Sequence, residues 1–357
     1  QVGGPSRQVP NACWSRVLPT PAPNPKLRLW SEEIGSLLGL DRGEADVLGG
    51  GKPVTGMDTY AQRYGGHQFG NWAGQLGDGR AITLGEVNTE SGVWELQLKG
   101  SGETPYSRHS DGKAVLRSSI REFLCSEAMF HLGVPTTRAL SLVTTGERVM
   151  RDMLYNGNKQ LEPGAVVCRV APSFIRLGSF QIHAMMGDKE TLEAIVEHTL
   201  KNHFPDCSFD EDGIIEWARI VAKTTAEMIS HWMRVGFVHG VMNTDNMTIT
   251  GTTFDYGPYG FMDGFNIDYT PNSSDVHRRY SFQKQAEIGF WNLNKLAETL
   301  VPLVGSDPLQ EEIKQYQPLF NRFYREEMGS KLGISILDKD FNHLTQKMFE
   351  NRKLNSV

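Results

Sequence analysis

Hydrophobic and polar residues alternate in several short runs in the first half of the chain. Such alternation is typical of strands that bury one face. A glycine-dense, aromatic stretch over 64–80 comes before the first run, and so many glycines let the backbone approach a ligand or another strand closely. We predict strands at Ala81–Val87, Val93–Lys99, Arg138–Val143 and Val166–Val170.

Apolar residues at helical spacing dominate the second half. In the first half, Leu116, Ile120 and Phe123 indicate a helix that continues to Leu132 and ends before Gly133. A short helix is also predicted at Leu27–Leu40, and two more follow the last long helix. The long helices of the second half are predicted at Lys189–Phe204, Gly213–Val235 and Gln283–Leu303.

A strand-rich half followed by a helix-rich half predicts an α+β fold with two lobes. The proline-rich opening, residues 1–26, is predicted as an extended arm. The N-lobe is expected over 27–170 and the helical C-lobe over 171–357, with the junction near Ala171 and Pro172.

Composition narrows the class of protein. The chain has 357 residues, of which 39% are hydrophobic and 22% charged, as in soluble globular proteins. No apolar run is long enough for a membrane span, and a net charge of −6 argues against nucleic acid as the main partner. Four cysteines without C-x-x-C spacing fit a reducing compartment and exclude the common zinc and redox motifs.

The loop after the predicted helix Gly213–Val235 has the spacing of a protein-kinase catalytic loop. In H-R-D-L-x-x-x-N, the base follows the His by two residues and a metal-binding Asn follows it by seven. His239 and Asn246 have this spacing, and Asp255-Tyr-Gly stands in the position of Asp-Phe-Gly. Val241, however, occupies the position of the base. Asp245 is the one carboxylate of the loop that could replace it, the alternative being a solvated loop residue.

Asn246 and Asp255 offer the oxygen ligands that Mg²⁺ accepts beside phosphate oxygens, although both residue types are also common in turns. Lys99 ends a predicted strand, where kinases carry the lysine that pairs with phosphates and with a helix Glu. Glu122 in the next helix is the candidate partner. His239 is interpreted as a structural, hydrogen-bonded histidine.

Two loops and two arginines complete the candidate site. Gly77-Asp-Gly-Arg80 resembles a loop that covers phosphates, with a hairpin turn as the alternative. Asp111 and Gly112 are placed at a helix start, either as an N-cap or as an anion site made of backbone N–H groups. Arg169 and Arg176 flank the junction of the lobes and suit phosphate binding, with surface salt bridges as the alternative.

These residues together resemble the selenoprotein O family of protein adenylyltransferase pseudokinases. The resemblance covers about residues 27–300. The matching stretches are Tyr64–Gly70, Gln75–Arg80, Leu98–Arg108, Ser119–Phe123, Arg169–Arg176, His239–Asn246, Asp255–Pro258 and Tyr280–Asn292.

The resemblance implies a protein-kinase-like fold that binds ATP in the reverse orientation and transfers AMP to Ser, Thr or Tyr hydroxyls of proteins, releasing pyrophosphate. It implies Asp245 as the proton acceptor, Glu122 as the partner of Lys99, and Mg²⁺, with Mn²⁺ as an alternative, on Asn246 and Asp255. The residues implied to bind the nucleotide are Gly77, Gly79, Arg80, Lys99, Asp111, Gly112, Arg169, Arg176 and Asp255.

Two other functions remain open from the sequence. A conventional protein kinase with a displaced base would use nearly the same residues, and a non-catalytic nucleotide-binding scaffold would need only part of them. The expected location is intracellular, in the cytoplasm of a bacterium or in a mitochondrion or other organelle of a eukaryote. The chain starts at Gln1 and ends at Val357 without the cysteine or selenocysteine motif of many relatives, so we expect either a fragment or a protein without this redox element.

Overall fold

The computed structural model describes residues 13–51, 53–153 and 156–333. The outermost part of the predicted arm and the end of the predicted tail lie outside these residues. The described strands are β1 (Trp14–Arg16), β2 (Lys26–Trp30), β3 (Tyr60–Gln62), β4 (Gly65–Gln68), β5 (Asn71–Gln75), β6 (Ala81–Thr89), β7 (Gly92–Lys99), β8 (Ala114–Val115), β9 (Arg138–Arg151), β10 (Gln160–Ala171), β11 (Phe237–Val238) and β12 (Gly260–Phe261). The described helices are α1 (Glu32–Leu38), α2 (Ala45–Leu48), α3 (Leu116–His131), α4 (Leu177–Met185), α5 (Lys189–His203), α6 (Glu211–Val235), α7 (Gln285–Val304), α8 (Asp307–Lys314) and α9 (Tyr316–Leu332).

Eight of the described strands form one antiparallel sheet in the first half of the chain. Its order is β1-β3-β6-β7-β10-β9-β2, with β8 paired to β10. Leu84, Leu96 and Leu98 are buried together with residues of β10 on one side of the sheet. Helix α3 contacts β9 and β10, which places it beside the strand that ends at Lys99.

The second half is helical and has its own hydrophobic core. Trp217 and Trp232 of α6 are fully buried there. Asp210 caps the start of α6, because its side chain accepts a hydrogen bond from the N–H of Gly213. Gly236, with a φ of +72°, caps the end. Strand β11 follows at once, so the end of α6 sets the position of the loop that starts at His239.

The predicted α+β architecture is confirmed, with a strand-rich sheet followed by a helical part. The predicted helix Leu27–Leu40 is wrong in its first half. Leu27 and Trp30 pair with Val143 and Ser141 of β9 as strand β2, and the helix starts only after Ser31, which caps α1. Pairing with a distant strand therefore decides the conformation of this segment.

The described residues also bear on the predicted arm, on the expected absence of a membrane span and on the state of the cysteines. Residues 14–16, within the predicted arm, form strand β1 and pair with β3. A search of the described helices finds none that combines the length and the apolar character needed to cross a bilayer. The four cysteines are free and buried.

Candidate active site

Lys99 and Glu122 meet where β7 ends beside α3. The Lys99 Nζ lies 2.8 Å from Glu122 Oε2 and 2.8 Å from Asp255 Oδ1. Both the lysine and the glutamate are buried. The structure thus joins the strand lysine, the helix glutamate and the Asp-Tyr-Gly aspartate, which come from three separate segments, into one ion cluster.

Arg169 and Arg176 add two buried cations to this cluster. The Arg169 Nη1 lies 2.7 Å from Asp255 Oδ1 and 3.2 Å from Glu122 Oε1. The Arg176 Nη1 donates to the main-chain oxygen of Asp245 at 3.1 Å. Surface salt bridges, the alternative for these arginines, are wrong because both side chains are almost fully buried.

Asp255 is held ionised by its neighbours. Burial opposes ionisation, but Lys99, Arg169 and Arg176 outweigh it and hold the pKa of this carboxyl well below its usual range. Asp255 also has a φ of +57°, which is uncommon for a residue other than glycine. A fixed carboxylate in a strained backbone position is frequent at functional sites.

The loop after β11 carries His239, which is structural, and Asn246, a candidate metal ligand. His239 is buried, stacks on Trp232 and contacts the main-chain oxygen of Phe254 through Nε2 at 2.9 Å. Burial lowers the pKa of His239, so the predicted structural histidine is confirmed. The Asn246 Nδ2 donates to the Val241 carbonyl at 2.9 Å, and its amide oxygen is the atom that could bind a metal ion.

Asp245 lies in a short 3-10 turn over Thr244–Asn246 and is 7% exposed. Its Oδ2 accepts a hydrogen bond from Gln68 Nε2 at 3.1 Å, whereas its buried Oδ1 has no hydrogen-bond partner among the described residues. Burial raises the pKa of Asp245 to about 6, although Gln68 and Arg176 oppose this rise. A carboxylate with a pKa near neutrality suits a general base.

The loop Gly77–Arg80 is not a hairpin turn, so that alternative is wrong. It connects β5, which pairs with β4, to β6, which pairs with β3 and β7. Gly77 has a φ of +148°, and a Cβ there would lie 2.4 Å from Tyr106 Cγ, so only glycine fits. Asp78 between the two glycines is buried, and the Arg176 Nη2 lies 3.1 Å from its Oδ1.

Asp111 and Gly112 do not start a helix, which corrects the prediction. Helix α3 begins at Leu116, and the short strand β8 comes before it because residues 114 and 115 pair with β10. The Asp111 carboxylate instead accepts two hydrogen bonds from Arg151, with Nη2–Oδ1 at 2.7 Å and Nη1–Oδ2 at 2.8 Å. The hydrogen bonds from Arg151 are the main reason that the pKa of Asp111 is lowered.

A cavity of about 770 Å³ lies between these elements. Its size suits a nucleotide. Six cationic side chains line it, against three carboxylates, which favours a polyanionic ligand. The cations are Arg80, Lys99, Arg108, Lys113, Arg151 and Arg169, and the carboxylates are Asp78, Asp111 and Asp255.

Most of the residues that the sequence singled out meet at this cavity. Its lining includes Gly77, Gly79, Arg80, Lys99, Asp111, Arg169, Asn246 and Asp255. Four are not among its lining residues, namely Gly112, Glu122, Arg176 and Asp245. Sequence reasoning missed Asp78, Arg108, Lys113 and Arg151 as lining residues. Arg108 lies inside one of the stretches that match the family, whereas Arg151 is the last residue of β9 and has no motif around it.

Asn246 and Asp255 line the same cavity and fit a Mg²⁺ site by their chemistry. Magnesium is commonly held by one or two protein oxygen ligands together with substrate phosphates and water. Within the described residues, no cluster of three or more His, Cys, Asp or Glu side chains is arranged for a metal. A metal here would therefore depend on the phosphates of the ligand for the rest of its coordination.

Comparison with known proteins identifies relatives of the chain. The family model described as Protein adenylyltransferase SelO matches residues 6–355. The protein nucleotidyltransferase YdiU of Azoarcus sp. strain BH72 is 56% identical over 94% of the chain and 67% of its own length. That of Xanthomonas campestris pv. campestris strain 8004 is 53% identical over 96% of the chain and 68% of its own length. The chain thus spans about two thirds of the length of these relatives.

Solved structures with detectable likeness are distant. ROP2 from Toxoplasma gondii, described as a virulence factor with a protein-kinase fold and no enzymatic activity, is 12% identical with a TM-score of 0.33 and covers 83% of each chain. WaaP in complex with acyl carrier protein is 11% identical with a TM-score of 0.24, covering 70% of this chain and 84% of its own.

Proposed function

The chain belongs to the protein adenylyltransferase SelO family, and we propose that it is an enzyme that transfers AMP from ATP to Ser, Thr or Tyr hydroxyls of proteins. The observation that carries this proposal is the position of Asp245. A buried carboxylate with one unpartnered oxygen adjoins the candidate metal ligand Asn246, while Val241 stands in the place of the kinase base. The site has a base for a hydroxyl acceptor, displaced from the position that kinases use.

We propose that ATP binds with its triphosphate toward the buried arginines. Arg169 and Arg176 are almost fully buried, and Lys99 lies in the same ion cluster. Arg80 lines the cavity from the Gly77–Arg80 loop. Cations placed this deep would stabilise the negative charge that grows on a departing pyrophosphate. This supports the reverse orientation of ATP, with the α-phosphate toward the acceptor.

In the proposed reaction, Asp245 accepts the proton of the acceptor hydroxyl. The hydroxyl oxygen forms a bond to the α-phosphorus, and the bond from that phosphorus to the α,β-bridging oxygen breaks. Pyrophosphate leaves with the electron pair, and AMP stays on the protein. Lys99, Arg169 and Arg176 offset the charge of the leaving group, while Glu122 keeps Lys99 in place.

Asn246 and Asp255 are the proposed ligands of Mg²⁺, with Mn²⁺ as an alternative. A divalent ion bound there would neutralise phosphate charge during the transfer. Asp255 suits this role because its pKa stays well below the usual range, so it is ionised at all physiological pH values. Its Oδ2 lies 3.8 Å from Arg176 Nη1, which is beyond hydrogen-bond distance.

The proposal is tested with two ATP samples, one labelled at the α-phosphate and one at the γ-phosphate. Each is incubated with Mg²⁺, the protein and a cell extract, beside an Asp255→Ala variant. Transfer of the α-label alone, abolished in the variant, is expected. Transfer of the γ-label would establish a kinase with a displaced base instead. Binding of ATP without transfer of either label would favour a scaffold.

A further inference from the structure

The β4–β5 hairpin, residues 65–75, lies against the loop that carries Asp245 and forms a two-stranded sheet of its own. The main-chain N–H of His67 donates to Thr244 Oγ1 at 2.7 Å. The N–H of Phe69 donates to Asn243 Oδ1 at 3.2 Å and to the Tyr280 hydroxyl at 2.9 Å. The hairpin is thus bonded to both residues that precede Asp245.

Gln68 lies between these two anchor points and contacts Asp245 itself. Its Nε2 donates to Asp245 Oδ2 at 3.1 Å. Gln68 is half-buried and comes from a part of the chain 177 residues away. Because Oδ2 is the only Asp245 side-chain oxygen with a hydrogen-bond partner among the described residues, this bond fixes the rotation of the carboxylate.

The hairpin approaches the loop so closely that side chains are excluded. A Cβ on Gly66 would lie 2.6 Å from Asp245 Oδ1, although the φ of Gly66 is not in the left-handed region. A Cβ on Gly178, at the start of α4, would lie 2.1 Å from the main-chain oxygen of Gly65. At Gly66 the absence of a side chain therefore allows close contact with the carboxylate and does not serve a special backbone conformation.

The residue after Gln68 is held in a costly conformation. Phe69 has a φ of +50°, an outlier for a bulky side chain, and its ring is 40% exposed. The strain is sustained by the hydrogen bonds of its N–H and by the packing of its ring at 5.3 Å from that of Tyr280. Strain that the surroundings maintain is a mark of positional control at functional sites.

We propose that Gln68 is a positioning residue, which rests on the proposed function: it holds the Asp245 carboxylate in the orientation in which it takes the proton of the acceptor hydroxyl. The hairpin gives Gln68 a fixed position, and Gly66 provides the space that Oδ1 occupies. Gln68 acts through Asp245, because its described side-chain hydrogen bond goes to that carboxylate.

The test compares Gln68→Ala and Gln68→Glu with the wild-type protein. The first variant removes the side chain, and the second keeps its size but replaces the N–H donor by an oxygen. Both are expected to lower kcat for label transfer about 10- to 100-fold, with KM for ATP changed less than about twofold. Gln75→Ala is the matched control, because Gln75 is an exposed glutamine of the same hairpin that bonds Arg63 rather than the catalytic loop.

A further variant, Gly66→Ala, is expected to abolish transfer while ATP binding persists. Gly264→Ala is its control, because a Cβ added at Gly264 would have no atom within 4 Å. Wild-type kcat in either Gln68 variant, or a loss matched by an equal rise in KM for ATP, overturns the positioning role. If the wild type transfers the γ-label, the proposed function is wrong. The positioning role of Gln68 is then tested on γ-label transfer, since that reaction would use Asp245 as its base too. If the wild type transfers neither label, both proposals fall.

Discussion

Asp78 and Arg176 form an ion pair of 3.1 Å between Oδ1 and Nη2 in which the two side chains are only 2% and 1% exposed. Asp78 belongs to the glycine loop, and Arg176 also donates to the main-chain oxygen of Asp245. One guanidinium therefore ties the loop that lines the cavity to the loop that carries the proposed base.

Replacement of Asp78 by Ala is expected to lower the free energy of unfolding by about 3–5 kcal/mol, because it removes the carboxylate closest to a buried guanidinium. Urea denaturation followed by circular dichroism measures the change. The control is Asp58→Ala, since Asp58 pairs with Arg16 at the surface, where the side chains are 32% and 66% exposed. That variant should lose about 1 kcal/mol or less. Equal losses in the two variants would mean that burial does not increase the contribution of the Asp78–Arg176 pair to the free energy of unfolding.

Glu122→Gln should reduce AMP transfer about 10- to 100-fold, because the amide no longer balances the charges of Lys99 and Arg169, and both cations then shift toward Asp255. Initial rates with α-labelled ATP measure the effect. Glu90→Gln, a change of an exposed residue between β6 and β7, is expected to keep the wild-type rate. An undiminished rate in Glu122→Gln would show that Lys99 holds its position without the helix.

Arg151→Ala should raise KM for ATP about tenfold and leave kcat nearly unchanged. The reason is that Asp111 loses two charge-assisted hydrogen bonds and no longer has a fixed orientation in the cavity. Titration of ATP in the transfer assay gives both constants. Arg148→Ala is the matched control, since Arg148 lies on the same strand but bonds the main-chain oxygen of Leu161. A fall in kcat alone would contradict a role in orienting Asp111.

His183 should make the fold less stable in acid. Burial lowers the pKa of His183 to about 4, below its ordinary value of 6.5, beside the thiol of Cys13, the carboxylate of Asp188 and the charge of Arg63. Between these two pH values the unfolded chain binds more protons than the folded one. The stability that His183 contributes is therefore fully present above pH 6.5 and is lost as the pH falls toward 4.

Urea midpoints at pH 7.5 and pH 5 measure this dependence. His183→Gln should flatten it, whereas His109→Gln, a change of an exposed histidine, should leave the slope as in the wild type. An unchanged slope in His183→Gln would assign the acid sensitivity to other groups.

Local sequence patterns predicted much of the fold and the central residues of the candidate site. The alternating run that ends at Lys99 and the spacing from His239 to Asn246 are local patterns, so strands, helices and loop residues could be predicted from them. Strand β2 could not be predicted, because its conformation depends on pairing with β9.

The remaining site residues depend on partners far along the chain. Asp78 meets Arg176 across 98 residues, Arg151 meets Asp111 across 40, and Gln68 meets Asp245 across 177. No spacing rule connects such pairs, because the packing of sheet and helices brings them together. The start of α3 was misplaced for a related reason: pairing of β8 with β10 keeps the residues before Leu116 out of the helix.

The β4–β5 hairpin also has a consequence for the order in which the protein takes shape. A ribosome makes residues 65–75 long before their partners, and the Tyr280 hydroxyl that holds Phe69 follows 211 residues later. During synthesis the β4–β5 hairpin therefore emerges before the residues to which it is hydrogen-bonded in the folded protein. A break near Ala171 would place Gln68 and Asp245 on different polypeptides, so their hydrogen bond would form only when the two pieces reassemble.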